Sequence, residues 1–361
     1  MSETSEMLDQ ALAAIFTRSG AGPAQRGAPW PQDTWSTVEA NGFAYLDLDE
    51  HGIGLEEAVR IAISVGRHAV AIPLVETAGL VSWLLARSAL ERPEGLTLGA
   101  VSHPLDDLRV TPLSGGDAEI SGTLHRVPWG RRADHLVAIA DFDGTPRTVV
   151  LPRPAEVRAG ENLAGEPRDT VLFDRLRLPA AAIAQGVGPS PLELRARGVL
   201  LRAASAAGAM QRVLAVVLAY ADTREQFGKP IRTFQAVQHH MVDVAEAAAA
   251  TMLAVNAAVL ADPGERLLAA ASAGVTAKED TRRLNRSAHQ VLGAIGVTDE
   301  HELPALTTRL WSWQGEFGSS RDWSVFIGRA ALNKSLPSLW SLISSTGQAH
   351  AGRALGEVVP W

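Results

Sequence analysis

Thr223-Arg224-Glu225-Gln226-Phe227-Gly228-Lys229-Pro230-Ile231-Arg232-Thr233-Phe234-Gln235-Ala236-Val237-Gln238-His239-His240-Met241 separates two long Ala-rich apolar stretches. A turn between two helices needs only Gly228 and Pro230. The Arg, the Phe-Gly pair and the Gln residues ask for more. Arg224 offers a planar fork that matches a phosphate. Gly228 permits a tight turn or a close backbone approach. Phe227 is a flat apolar surface. Gln235 falls in the first turn of the next helix, where the dipole favours an anion. An anionic ligand held at a helix junction is one reading. A loop carrying a surface Arg is the plain alternative.

The flanks decide the architecture of the C-terminal part. The stretch from Gly198 to Asp222 is apolar nearly all round, which predicts a buried helix. After the junction, Phe234, Val237, Met241, Val244, Ala248, Met252, Val255 and Val259 share a face. That helix runs to Asp262-Pro263-Gly264, about 40 Å at 1.5 Å per residue. A third helix is expected over 265–292. A fourth covers 306–332, broken near Gly318. Long helices with short connections predict an antiparallel four-helix bundle over 189–361.

Upstream the pattern changes twice. Residues 1–95 predict helices, with apolar residues at helical spacing in 8–18, 54–70 and 72–90 and a Gly/Pro-rich loop over 19–33. Residues 96–188 carry short β-branched runs separated by turns, which predict a small antiparallel barrel or sandwich. The fold class is therefore α+β: an N-terminal helical domain, a middle β domain and a C-terminal bundle.

Composition narrows the function. The 361 residues are 46% hydrophobic and 20% charged, with net charge −7 and no cysteine. Disulfides and thiolate metal sites are excluded, and a cytoplasmic location is expected. No basic stripe suggests nucleic acid. No run of eighteen uninterrupted apolar residues suggests a membrane span. His239 and His240 are adjacent on a helix and point about 100° apart, so they do not share a metal. No metal site is expected.

The stretch 220–243 resembles the bundle signature of the acyl-CoA dehydrogenases. Three further fragments resemble that family in the same order. They are GRHAVAIPLVETAGLVSWLLA (66–86), VLFDRLRLPAAAI (171–183) and AHQVLGAIGVTDEHEL (288–303). The resemblance implies FAD as cofactor, with Arg224, Phe227 and Gln235 reaching the FAD of a neighbouring subunit. It also implies that Gln290, Gly293 and Ala294 meet the pyrophosphate side, Ala294 replacing a Gly. Trp129 stands where the family sets a Trp against the flavin ring. The Thr expected nearby is replaced by Gly130-Arg131, and Ser102–Val110 occupies the place of a Glu-Pro-x-x-Gly-Ser-Asp stretch.

The reaction implied is α,β-dehydrogenation of an acyl-CoA thioester, with electrons passed on to an electron-transfer acceptor. A carboxylate takes the α proton. Glu316 is the candidate, with a helix-end acid as its alternative role. The family's other base position falls on Gly198-Val199, and Glu193 is too early. Glu300 and His301 are candidates for the acyl site or for helix capping. The altered flavin half resembles one subunit of paired α2β2 heterotetramers that act on bulky CoA esters of steroid breakdown. The alternative is a silent subunit that completes a partner's FAD site.

Overall fold

The first helices form where the sequence alternates apolar and polar faces. In the computed structural model, which describes residues 3–19, 29–46, 54–99, 102–142 and 144–332, α1 is Glu3–Arg18, α2 Gln32–Ala40 and α3 Leu55–His68. In α3, Ala58, Ile61, Ala62 and Val65 line the buried face. Glu56 and Glu57 open the helix and Arg67 and His68 close it, complementing its dipole. Most of the loop expected over 19–33 lies outside the described residues, as does 333–361 of the expected bundle.

The helix expected over 72–90 is interrupted. It runs as α4, Leu74–Glu76, a π-helical turn at Thr77–Val81, and α5, Ser82–Arg87. The Ser82 hydroxyl donates to the Thr77 carbonyl at 3.1 Å inside that widened turn.

The β region is one mixed sheet, not an antiparallel barrel or sandwich. Its strands are β1 Thr97–Gly99, β2 Arg109–Pro112, β3 Ala118–Pro128, β4 His135–Phe142, β5 Thr145–Pro152, β6 Glu156–Arg158 and β7 Arg168–Leu178. The order is β1-β4-β2-β3-β7-β6, with β5 along the other edge of β4. β4 pairs parallel with β1 and then β2, and antiparallel with β5 along all eight residues. The parallel pairs join segments far apart in sequence, which local alternation does not reveal. Leu98, Ile120, Leu124, Leu136, Val149 and Val171 form its core.

The chain divides into two compact units, 1–198 and 199–361, where the sequence suggested three domains. The helices and the sheet of the first unit are stitched together. The Thr97 N–H donates to Tyr45 Oη at 2.9 Å, and Ser88 Oγ donates to Thr148 Oγ1 at 2.6 Å.

The second unit is helical. α6, Pro191–Thr223, begins in the first unit and continues into the second. A capping box starts it, with Glu193 accepting from Ser190 N and Oγ at 2.8 Å. α7 is Gln235–Leu260, α8 Arg266–Leu292, α9 Leu303–Ser312 and α10 Ser320–Leu332. α7 and α8 run antiparallel, tied by His240–Ser287 (3.2 Å), Arg283–Glu246 (2.9 Å) and Thr251–Asp280 (3.3 Å). A Cβ on Gly274 would meet Val199 Cγ2 at 2.5 Å, so glycine permits α8 to approach α6.

Despite the lack of an uninterrupted apolar run, α6 and α7 are long and apolar enough to cross a membrane by length and composition. Much of α6 is buried within the protein. α7 leaves Val242, Leu253 and Leu260 exposed.

Candidate active site

The α6–α7 junction folds as a two-strand hairpin. β8, Glu225–Gln226, pairs with β9, Lys229–Pro230, in the register Gln226↔Lys229. The two residues between them, Phe227 (φ +52°) and Gly228 (φ +77°), are both left-handed, as a type I′ turn demands. Gly228 adopts this without strain. Phe227 does so at a cost of about 1–2 kcal/mol. Its ring is 91% exposed, edge-on to Phe234 at 6.0 Å, while Lys229 Nζ lies 4.6 Å from the Phe234 ring centre.

Arg224 anchors the hairpin through its backbone: its N–H donates to Tyr220 O and its carbonyl accepts from Ile231 N, both at 2.8 Å. Among the described residues its exposed guanidinium has no hydrogen-bond or ion-pair partner. Gln235 is the first residue of α7 and is exposed. The antiparallel register brings the end of α8 to the same end of the bundle, with Gln290 exposed there. Gly293 follows at φ +62°, ψ −138°, a backbone state open to glycine. Ala294 is exposed too. Two residues on, a Cβ at Gly296 would meet Leu292 Cβ at 2.8 Å, so the close-packing glycine of this segment is Gly296.

His301 and Glu300 sit at the same end. His301 Nδ1 accepts from Leu303 N at 3.1 Å, capping α9, and its ring stands edge-on to Tyr220 at 6.5 Å. Glu300 is exposed. The carboxylate with a firm partner is the neighbouring Glu302, which takes both Arg212 nitrogens at 2.7 Å.

Glu316 lies inside the bundle, in the break between α9 and α10. Arg202 Nε donates to Glu316 Oε2 at 2.6 Å, and both side chains are almost fully buried. Lys278 Nζ donates to the carbonyls of Trp313 (3.0 Å), Gln314 (2.9 Å) and Glu316 (3.3 Å). Burial pushes the Lys278 ammonium down to about 8. The Glu316 charge opposes that shift and Arg202 adds to it. A cavity of about 10 Å³ lies against Val199, Arg202 and Lys278, room for about one water. Phe317 and Gly318 are both left-handed, and the Trp323 indole donates to Phe317 O at 2.9 Å. The segment carrying Glu316 is thus clamped from three helices. Neither Arg202 nor Lys278 could be found from spacing alone, since 114 and 38 residues separate them from Glu316.

In the first unit Trp129 is buried. It is left-handed (φ +57°) and meets Trp30 edge-on at 4.9 Å. A Cβ on Gly130 would meet Val171 and Asp169 at 3.1–3.2 Å. Arg131 closes on the fully buried Asp169, with Nη2 at 2.7 Å, Nε at 3.0 Å and its backbone N–H at 2.7 Å. Nearby residues thus occupy both the Trp and the Arg.

The segment Ser102–Leu108 borders a cavity of about 390 Å³. Leu124, Ile139, Pro146 and Leu194 give it an apolar lining, and His103 and Asp106 a polar one. Burial pushes the Asp106 carboxyl up to about 6, against the lowering effect of the His125 and His103 backbone N–H groups. Burial lowers His103, and the charges of His125, Arg126 and Arg195 act in the same direction. Residue order carries no signal for this cluster beyond a His-Pro-Leu-Asp run, because His125 arrives from β3.

Residues 196–318 match the family model described as acyl-CoA dehydrogenase, C-terminal domain. The chain is similar to the acyl-CoA dehydrogenase IpdE2 of Mycolicibacterium smegmatis, with 27% identity over 316 residues, 84% of this chain and 91% of the relative. Among solved structures it shares its fold with a chain of the ChsE4-ChsE5 complex from Mycobacterium tuberculosis. There the TM-score is 0.77 at 20% identity, covering 96% of this chain and 99% of that one. The Tcur3481-Tcur3483 steroid ACAD aligns with TM-score 0.70 at 20% identity, covering 90% and 97%.

Proposed function

Because this chain belongs to the acyl-CoA dehydrogenase family, we propose that it serves as one subunit of a mixed assembly that dehydrogenates a bulky, steroid-derived acyl-CoA. The observation that carries the reading is the α6–α7 hairpin. It presents an Arg224 guanidinium without a partner among the described residues and an outward, strained Phe227, at the end of the bundle where Gln235, Gln290 and Gly293 are also exposed. Exposed donors and an apolar ring at a helix N-terminus fit the pyrophosphate side of a dinucleotide. These residues would hold FAD at the edge of a neighbouring subunit. FAD, when bound, supplies the acceptor for the hydride that leaves the β carbon.

The flavin-ring side fits less well within this chain. Trp129 is buried on Trp30, and Arg131 is engaged by Asp169. Glu316 is held by Arg202. We therefore assign the proton-abstracting carboxylate to a homologous partner chain. This chain then completes the partner's cofactor site, and the exposed apolar face of α7 is covered in the assembly. The names ChsE4-ChsE5 and Tcur3481-Tcur3483 each join two different chains, and the second is called a steroid ACAD. Both support a mixed oligomer, and the second supports a bulky acyl group. The thioester is required because it acidifies the α proton that a carboxylate must remove. An electron-transfer acceptor would reoxidise the flavin.

The test is a visible spectrum of the tag-free chain, alone and co-expressed with a homologous acyl-CoA dehydrogenase chain from the same source. Flavin bands and steroid-CoA oxidation in the mixed assembly, with little of either in the chain alone, are expected. A colourless mixed assembly that takes up no added FAD overturns the reading.

A further inference from the structure

His103 and Asp106, which line the first unit's cavity, stand close to His125 of β3, so two imidazoles and one carboxylate from two segments are brought together. Its backbone is built with care. A Cβ on Gly122 (φ +133°) would strike the Asp107 carbonyl oxygen at 2.4 Å, so only glycine permits the 103–108 segment to lie this close to β3. Asp107 then fastens it, donating from its N–H to Thr123 O at 3.1 Å and accepting from Thr123 N at 2.6 Å. Asp106 does the same one residue away. Its Oδ2 accepts from His103 N at 2.8 Å and its Oδ1 from His125 N at 2.7 Å. His125 sits where β3 shifts register against β7, beside the left-handed Arg126 (φ +54°). Such an irregularity re-aims a side chain and recurs next to functional sites.

These constraints bring one ligand-capable atom each from His103, Asp106 and His125 within 4.8 Å of one another. His125 Nδ1 is buried and has no hydrogen-bond partner among the described residues. It stands 3.6 Å from Asp106 Oδ1, too long for a hydrogen bond. Two ligands at 2.0–2.2 Å on a tetrahedral ion are separated by about 3.4 Å. The spacing suits two ligands of one ion as well as it suits a direct ion pair between the two groups. The His103 and His125 rings are 5.8 Å apart and tilted by 36°.

We propose that His103, Asp106 and His125 bind one divalent transition-metal ion of the zinc class at the wall of the 390 Å³ cavity. Two nitrogens and one carboxylate oxygen suit Zn²⁺, Co²⁺ or Ni²⁺ rather than Mg²⁺ or Ca²⁺, which take mainly oxygen ligands. Three protein ligands leave a coordination position for water or for a ligand in the cavity. Asp106 already has the outer hydrogen bonds that fix a ligating carboxylate. One adjustment is needed. His103 Nδ1 accepts from Leu105 N at 3.2 Å, and that long bond must yield when the imidazole turns a lone pair to the ion. The site is independent of the dehydrogenase reading and does not require FAD.

The experiment uses the full, tag-free chain, stripped by a chelator and titrated with Co²⁺. One equivalent should give visible ligand-field absorption that Zn²⁺ abolishes by displacement, and Zn²⁺ should raise the melting temperature. His125→Gln should weaken binding roughly a hundredfold or more, while His239→Gln, on α7, should leave it unchanged. His103→Gln should match His125→Gln. If that variant does not fold, His125→Gln carries the test, since its Nδ1 has no hydrogen bond to lose. Wild-type affinity equal to that of His125→Gln, or an equal loss in His239→Gln, overturns the assignment.

Discussion

Two arginines frame the chemistry of this chain. Arg131, in the sheet unit, has its guanidinium and its backbone N–H closed on the buried Asp169. Arg224, at the end of the bundle, has its backbone engaged and its guanidinium unpaired among the described residues. The residues beside them follow suit. Trp129 is buried on Trp30, whereas Phe227 is turned out on a strained hairpin. The lesson is that a functional-looking residue type is not yet a functional residue. Groups engaged internally cost stability when removed. Groups without internal partners cost ligand or partner binding instead. Each variant below asks on which side of that line a residue falls.

The largest effect is expected at Glu316. Glu316→Gln removes the carboxylate that Arg202 Nε meets at 2.6 Å in the buried pair, which should cost about 3–5 kcal/mol of stability. Chemical denaturation of the chain reads this directly. If Glu316 is also the proton acceptor, the same substitution should in addition lower turnover of the assembled enzyme at least a hundredfold at a temperature where the variant is folded. Arg202→Met is the companion measurement: it removes the closest charge on Glu316 but leaves the Lys278 ammonium nearby, so it should destabilise less than Glu316→Gln.

Lys278 should come next, seen as a pH dependence. Its folded-state pKa, about 8, lies below the ordinary lysine value of 10.5. Between these values the unfolded chain binds more protons than the folded one. Stability contributed through this group therefore rises as pH increases from about 8 to 10.5, and below about 8 the full cost of burying the charge is present. Lys278→Met should flatten that rise in denaturation midpoints measured from pH 7.5 to 10.5. An unchanged slope would mean that another group carries it.

At Arg224 the effect should move from stability to binding. Arg224→Ala should leave denaturation of the isolated chain within about 0.5 kcal/mol. In the mixed assembly it should weaken FAD retention by about 2 kcal/mol, roughly thirtyfold. Flavin released on gel filtration measures it. Destabilisation without flavin loss would place Arg224 with Arg131.

Much of the architecture could be read from residue order. Apolar periodicity located α6, α7 and α8, and the break near Gly318 is the joint between α9 and α10. The 223–235 stretch read as a junction carrying more than a turn requires, and it folds as a hairpin whose tip is solvent-exposed. What could not be read is non-local. β4 takes parallel partners from strands that precede it by tens of residues. The widened turn at Thr77–Val81 has the same composition as an ordinary helix. Arg202 and Glu316 are far apart in sequence, so spacing offered Glu316 as a candidate base or a helix-end acid and gave no sign of its buried ion pair. Asp169 is hidden from Arg131 in the same way. His103, Asp106 and His125 converge only because Gly122 lets one segment lie on another.

The smallest expected effect separates the two regions most finely. Phe227 occupies left-handed backbone that Asn tolerates far better, because a short amide hydrogen-bonds its own turn. Asn-Gly is also the favoured pair for this turn type. Phe227→Asn should therefore stabilise the isolated chain by about 0.5–1 kcal/mol, since the ring it removes is 91% exposed and contributes little burial. If the ring serves only the chain itself, through its edge-on contact with Phe234, the gain should shrink or vanish. If it serves a neighbour, the isolated chain gains stability while the mixed assembly dissociates at lower dilution and retains less flavin. Thermal denaturation of the chain and sedimentation of the assembly, run on the same preparations, give the two numbers. Opposite signs would mark Phe227 as strained for a partner's benefit. Equal signs would return it to the internally engaged residues, alongside Trp129.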